Sequence, residues 1–191
     1  METEGGYELG GVITNDRKDD MTPESTMQNM HCIHPADLFP FTRKPMLIIV
    51  DSDNAKAFSH LPDLFGQPVI CLMASEELPH SIREHFTRGR LLTTFLYSPI
   101  MAFMLTCGID QTSDRLYERC EQVVEKALYE AQRSYLRSRT IDHSFLQFFG
   151  DEFIRLILLR FAFCYCTLRL HRAYKHYLKK TLLATLLSTK L

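Results

Sequence analysis

The residues whose types and spacing could do chemistry are Asp51-Ser52-Asp53, just after the apolar run Met46 to Val50, and Ser75, just after a second run ending at Met73. In an open parallel sheet, ligands bind in the loops beyond the carboxyl ends of the strands. Carboxylates and hydroxyls there could hold a small ligand or exchange protons with it. Asp53 is followed by Asn54-Ala55, which matches neither the loop of acid-nucleophile phosphatases nor the D-x-S-x-S of metal-ion-dependent adhesion sites. The competing role for these residues is to cap a helix and form a turn.

A second constellation is basic. Arg169, Arg172, His176 and Lys179 recur at spacings of three, four and three, beside Tyr174, Tyr177 and Leu178. On one helix they would form a stripe able to meet phosphates or an acidic helix. No base-reading motif accompanies it, so salt-dependent contact is implied rather than sequence-specific binding of nucleic acid. The remaining candidates are weaker. His31, Cys32 and His34 lack the second ligand pair that a zinc site needs. Asp142-His143 and Asp151-Glu152 stand where helices begin, and the helix dipole favours acids there. Cys164 and Cys166 lie two apart, hence on different faces of a helix, and read as packing residues. No G-x-G-x-x-G, Walker, HExxH or G-x-S-x-G motif is present, and no cofactor or metal is expected.

The elements that must position these residues are read from hydrophobic pattern. Met46 to Val50 and Pro68 to Met73 are short continuous apolar runs, each followed by capping residues, as in buried parallel strands leading into helices. Leu91 to Tyr97 reads as a third strand, and Ser98-Pro99 then starts a helix that Gly108 closes. The expected fold class is therefore α/β: a small parallel sheet of about three strands, part of a Rossmann-like or flavodoxin-like layer, followed by long C-terminal helices. Leu91 to Ile109 is also 19 residues without a charge, which raises a transmembrane alternative that Ser98-Pro99 and the interspersed threonines oppose.

Ser113 to Arg139 is amphipathic, with Leu116, Cys120, Val123, Val124, Ala127, Leu128, Ala131 and Tyr135 at helical spacing and a charged opposite face. Ile141 to Phe163 packs the most large apolar side chains per turn and is the expected core helix, with a change of pattern at Gly150. Phe153, Leu156, Ile157, Arg160 and Phe161 would form one face, and Ile154, Leu158 and Leu159 make the helix apolar nearly all round. Arg155 and Arg160 should bury their stems and keep solvated heads. The helix is expected to run on past Leu170 toward Lys180.

Composition sets the outer limits. With 191 residues, 46% hydrophobic and 24% charged, the chain can bury a sizeable core. Six cysteines without paired spacing, and no apolar run for export at the N-terminus, point to a reducing compartment. Charge is asymmetric: Met1 to Pro35 carries seven acidic and two basic residues, whereas Phe153 to Leu191 carries eight basic and no acidic ones. Residues 1–40 read as a disordered acidic arm, 41–172 as the α/β domain with its C-terminal helices, and 173–191 as a basic, divergent helical tail.

Four blocks, KPMLIIVDS at Lys44, LFGQPVICL at Leu64, SPIMAF at Ser98 and FLQFFGDEF at Phe145, resemble the C-terminal portion of the suppressor of cancer cell invasion family, in the family's order. The resemblance spans roughly Lys44 to His171, and family members are much longer. It implies a nuclear transcriptional corepressor, with a cytoplasmic pool as well. Such a protein would inhibit transcription by myocardin-related factors with serum response factor downstream of Rho signalling, and would restrain cell migration. Myocardin-related transcription factors and chromatin-associated DNA repair factors are the implied partners, and no enzymatic activity is implied. The rivals are a ligand-binding or enzymatic module at Asp51, Ser52, Asp53 and Ser75, and a regulator anchored in membranes through Leu91 to Ile109.

Overall fold

The structure is a computed structural model and describes residues 11–14, 31–61, 65–75, 78–86, 90–109, 111–139, 141 and 143–174. The chain divides into two compact units, Met1–Glu76 and Glu77–Leu191, so the stretch expected to form one α/β domain is shared between them.

In the first unit, β1 (Val12–Thr14) pairs antiparallel with β2 (His31–Ile33), so part of the segment expected to carry no fold is ordered as a short ladder. A 3-10 turn, Pro35–Phe41, follows. His34 opens it: its Nδ1 accepts the Ala36 N–H at 3.1 Å, and Asp37 Oδ2 accepts the His34 N–H at 2.8 Å. This reciprocal arrangement satisfies two otherwise orphaned donors and accounts for His34 as a cap. Next come β3 (Met46–Val50) and β4 (Val69–Met73), which pair in parallel from Met46↔Val69 to Val50↔Met73. Both were legible as apolar runs. β4 is the better covered of the two, with Ile70, Cys71, Leu72 and Met73 all buried, whereas Ile49 on β3 is 43% exposed. Val50, Cys71 and Met73 pack with Ala55 and Phe58 of the short 3-10 helix Ala55–His60, supported by Leu38 and Leu61.

The third expected strand is a helix, and the sheet has two parallel strands rather than three among the described residues. A short apolar run cannot be assigned by periodicity alone, because a buried strand and a buried helical turn look the same in sequence. Leu91, Leu92 and Phe95 are buried at a spacing that puts them on one helical face, and Thr94 Oγ1 donates back to the Arg90 carbonyl at 2.8 Å. A Rossmann-like layer is therefore not formed by these elements.

In the second unit, α1 (His80–Arg83) is a single turn, followed by α2 (Leu91–Tyr97) and α3 (Pro99–Thr106). Ser98 separates α2 from α3, with Pro99 at the first helical position as the sequence suggested. Neither segment is long enough to cross a membrane, and no described helix is both long and apolar enough to do so. Gly108 ends α3 with φ of 69°, and the Ile109 N–H reaches the Met104 carbonyl at 2.9 Å while the Gly108 N–H reaches Leu105 at 3.1 Å. These two bonds form a Schellman closure, which needs the left-handed residue that glycine supplies without strain.

The amphipathic helix is α4 (Asp114–Arg137). Beyond it, the expected core helix is broken at Gly150 into α5 (His143–Leu146), a 3-10 turn Gln147–Gly150, and α6 (Glu152–Leu170). Asp151 accepts the Ile154 N–H at 2.9 Å and so starts α6, whereas Asp142, the other expected cap, lies outside the described residues. Ile82, Leu91, Phe95, Ala102, Cys164, Leu168 and Tyr174 form the core of this unit, with α2, α3 and α4 all packing on α6. Coverage from several sides is what a helix apolar nearly all round requires.

The buried set on α6 is Leu158, Leu159, Phe161, Cys164, Thr167 and Leu168. Phe153 is 71% exposed and Leu156 37%, so the expected face beginning at Phe153 is turned outward at its N-terminal end. The packing starts a turn later than the pattern does. α6 also stops at Leu170, where His171 turns extended (ψ 129°), instead of running on toward Lys180.

Candidate functional site

The loop after β3 is brought beside the end of β4 by the parallel register, because the Ala74 N–H donates to the Val50 carbonyl at 2.9 Å. Asp51 and Ser52 are half-buried, Asp53 is exposed, and Ser75 is half-buried beyond β4. The local bonds hold the turn itself. Ser52 Oγ accepts the Asn54 N–H at 3.3 Å, the Ala55 N–H donates to the Ser52 carbonyl at 3.2 Å, and Asn54 Nδ2 donates to the Gly11 carbonyl at 2.7 Å. Asn54 thereby fastens β1 to the loop. Asp51 and Ser75 thus lie at neighbouring carboxyl ends of parallel strands, and the bonds of Ser52 with Asn54 and Ala55 form the turn between. Among the described residues, no three or more His, Cys, Asp or Glu side chains are grouped so that they could hold a metal ion.

The basic stripe is not held on one helix. Arg169 is exposed in the last turn of α6, whereas Arg172 is exposed on a separate 3-10 turn, Arg172–Tyr174, because the backbone leaves the helix at His171. His176 and Lys179 lie outside the described residues. Tyr174, expected beside the stripe, is instead buried at 1% exposure in the core of the second unit.

Two arginines do work that the sequence did not disclose. Arg160 Nη1 donates to the carbonyls of Leu96 at 2.7 Å and Tyr97 at 3.1 Å, so its head covers the C-terminal end of α2 rather than being solvated. Arg155 Nη1 donates to the Phe149 carbonyl at 2.9 Å and does the same for the turn before α6. The last carbonyls of a helix lack partners within it and carry partial negative charge, so a guanidinium placed there satisfies both needs. The signal in sequence was an arginine within an apolar face, but its target lay 64 residues away in the chain.

The thiols divide by burial. Cys71 and Cys164 are buried and Cys107 and Cys166 exposed, which sets Cys164 and Cys166 on different faces as their spacing implied. Burial pushes the Cys71 thiol up to about 12 from 9.0, so this cysteine is neutral and inert at ordinary pH. Tyr135, whose ring lies 5.6 Å from that of Phe149, is also shifted upward, chiefly by burial and secondarily by Cys166.

The largest feature that sequence reasoning passed over is on α4. The apolar arc there is wider than the surface it packs on: Val124 is buried, but Val123 is 68% exposed and Leu116 50%. Amphipathicity announced the arc, yet how much of it would be covered depended on where α3 and α6 lie.

Comparison with known proteins identifies the chain. The family model for Protein SCAI matches residues 3–174. Protein SCAI of Mus musculus is 42% identical over 178 residues, covering 90% of this chain and 29% of the relative. The Homo sapiens protein is 42% identical over 180 residues, covering 91% and 30%. The Protein SCAI homolog of Dictyostelium discoideum is 31% identical over 144 residues, covering 75% and 18%. The chain therefore spans less than a third of the length of these relatives, and no solved structure matches it. With a family model matched along most of its length and 42% identity across nine-tenths of it, the chain belongs to the Protein SCAI family.

Proposed function

We propose that the chain acts as a transcriptional corepressor module in the nucleus, with a cytoplasmic pool as well, inhibiting transcription by myocardin-related factors with serum response factor downstream of Rho signalling and so restraining cell migration. The observation that carries this reading is the 42% identity with Protein SCAI over 90% of the chain. On this reading it recognises other proteins and turns over no substrate. Its partners are transcription factors of the myocardin-related type and chromatin-associated DNA repair factors, with no sequence-specific contact to nucleic acid. Exposed apolar side chains on α4 and at the start of α6 support action through surfaces, because large apolar groups left in water are what protein partners cover.

A serum-response reporter in cells expressing the chain, paired with pull-down of the myocardin-related factor, tests the proposal. Repression with retained partner is expected; stable, nuclear protein that neither represses nor retains the factor would refute it. The position of Asp51 and Ser75 beyond the parallel strand ends favours one second reading, a small-ligand site. Asp51→Ala discriminates between the two. The corepressor should keep its repression, whereas a function resting on that loop should lose it.

A further inference from the structure

On α4, Leu116, Cys120, Val123 and Ala127 follow one another at spacings of four, three and four, the seam that one helix offers to another. Val123 is 68% exposed, Leu116 50%, Ala127 is exposed and Cys120 half-buried, while the neighbouring arc through Val124 faces α3 and α6. Half of the apolar arc of this helix is thus in water.

Over the N-terminal two-thirds of the helix, the outer border of that seam carries positive charge alone. Arg119, Lys126 and Arg133 repeat every seven residues along its outer edge, and Arg115 extends the row by one turn. Arg115, Arg119 and Lys126 are exposed. Arg133 is engaged at 3.4 Å with Glu130, so the excess of positive charge is concentrated on the N-terminal two-thirds of the helix. The acidic residues there, Asp114, Glu118, Glu121 and Glu125, lie round the far side of the helix from the seam.

We infer that this seam docks an amphipathic helix of a partner protein whose apolar stripe is flanked by aspartate and glutamate. The apolar stripe would supply the contact and the carboxylates would fix register and orientation against Arg115, Arg119 and Lys126. A second copy of the chain fits less well. Two α4 helices packed antiparallel along this seam would set their basic rows against each other, and like charges so placed oppose association. The inference rests on the reading that the chain works through its surfaces, and it names the chemistry of one partner.

The test titrates the full chain, by fluorescence anisotropy, against two labelled helical peptides that share one leucine seam, one flanked by glutamate and the other by lysine. The glutamate peptide should bind at least about tenfold more tightly than the lysine peptide, and salt should narrow the gap. The double variant Arg119→Glu/Lys126→Glu should reverse the preference, and Val123→Ser should weaken both peptides. Because these side chains are on the surface, the variants should unfold at the denaturant midpoint of the parent, which separates loss of docking from loss of fold. Equal binding of the two peptides, or affinity unchanged by Val123→Ser, would overturn the inference. So would a dimer in sedimentation that Val123→Ser dissolves, since a second copy would then cover the seam. None of these measurements reads transcription, so this inference and the corepressor reading can fail separately.

Discussion

At the scale of single residues, Arg160 shows how much a charged side chain in an apolar face can decide. Its guanidinium donates from outside the helix to two carbonyls at the end of α2, those of Leu96 and Tyr97. Replacing it with methionine keeps the packing stem and removes the donors, leaving those carbonyls to solvent or to strain. Arg160→Met should cost about 2 kcal/mol in a denaturant titration, the range for hydrogen bonds from a charged donor. Arg160→Lys should recover only part of that loss, because the lysine side chain ends one bond short of Nη1, the single nitrogen that reaches both carbonyls. A sequence reading finds such an arginine easily and assigns it to water, because that is where most long charged side chains end. Only the placement of α2 shows otherwise. Cys164 and Cys166 were legible for the opposite reason: two residues apart on a helix is geometry that no tertiary contact changes.

At the scale of elements, what the sequence disclosed was punctuation. Pro99 after Ser98, Gly108 after Thr106 and Asp151 before Glu152 each mark a helix boundary that the structure places there. These signals work because they concern backbone groups within one turn of the marker. Gly108→Ala should lower stability by about 1 kcal/mol, the cost of holding an L-residue at φ of 69° with its closing bonds intact. The check is a denaturation midpoint moved downward with far-ultraviolet circular dichroism unchanged. Type, in contrast with boundary, was misread at Leu91 to Tyr97. Buried helix and buried strand share the same composition over seven residues, and the deciding contacts, with Cys164, Leu168 and Arg160, come from α6. The loop of Asp51 to Asp53 falls beyond the strand ends because β3 and β4 pair in the register that places those ends together, and the strands announce themselves by apolar runs.

For the whole molecule, stability should depend on alkaline pH through Cys71. Its thiol titrates near 12 in the folded chain and at 9.0 when exposed, so folding favours the protonated form. The contribution is fully present below pH 9 and is lost as pH rises toward 12, because the unfolded chain releases its proton first. Each pH unit in that window should remove up to about 1.4 kcal/mol, and Cys71→Ala should flatten the slope even though it lowers stability at neutral pH. Unfolding followed at pH 8, 9.5 and 11, values bracketing about 9, provides the comparison. A slope that is the same in parent and variant would show that Cys71 ionises freely in the folded state.

The reach of Arg160 also bears on how the chain comes off the ribosome. Synthesis proceeds from the N-terminus, so α2 emerges with a bare carbonyl end and waits while 64 further residues are added before its partner exists. Contacts between segments so far apart are late ones, since the intervening chain must be ordered before they return anything. Until then Leu91 and Phe95 lack the α6 residues Cys164 and Leu168 that join them in the core. The second unit is thus completed after translation has passed its middle, and a nascent chain stalled between α3 and α6 presents to chaperones an apolar face that the finished protein conceals.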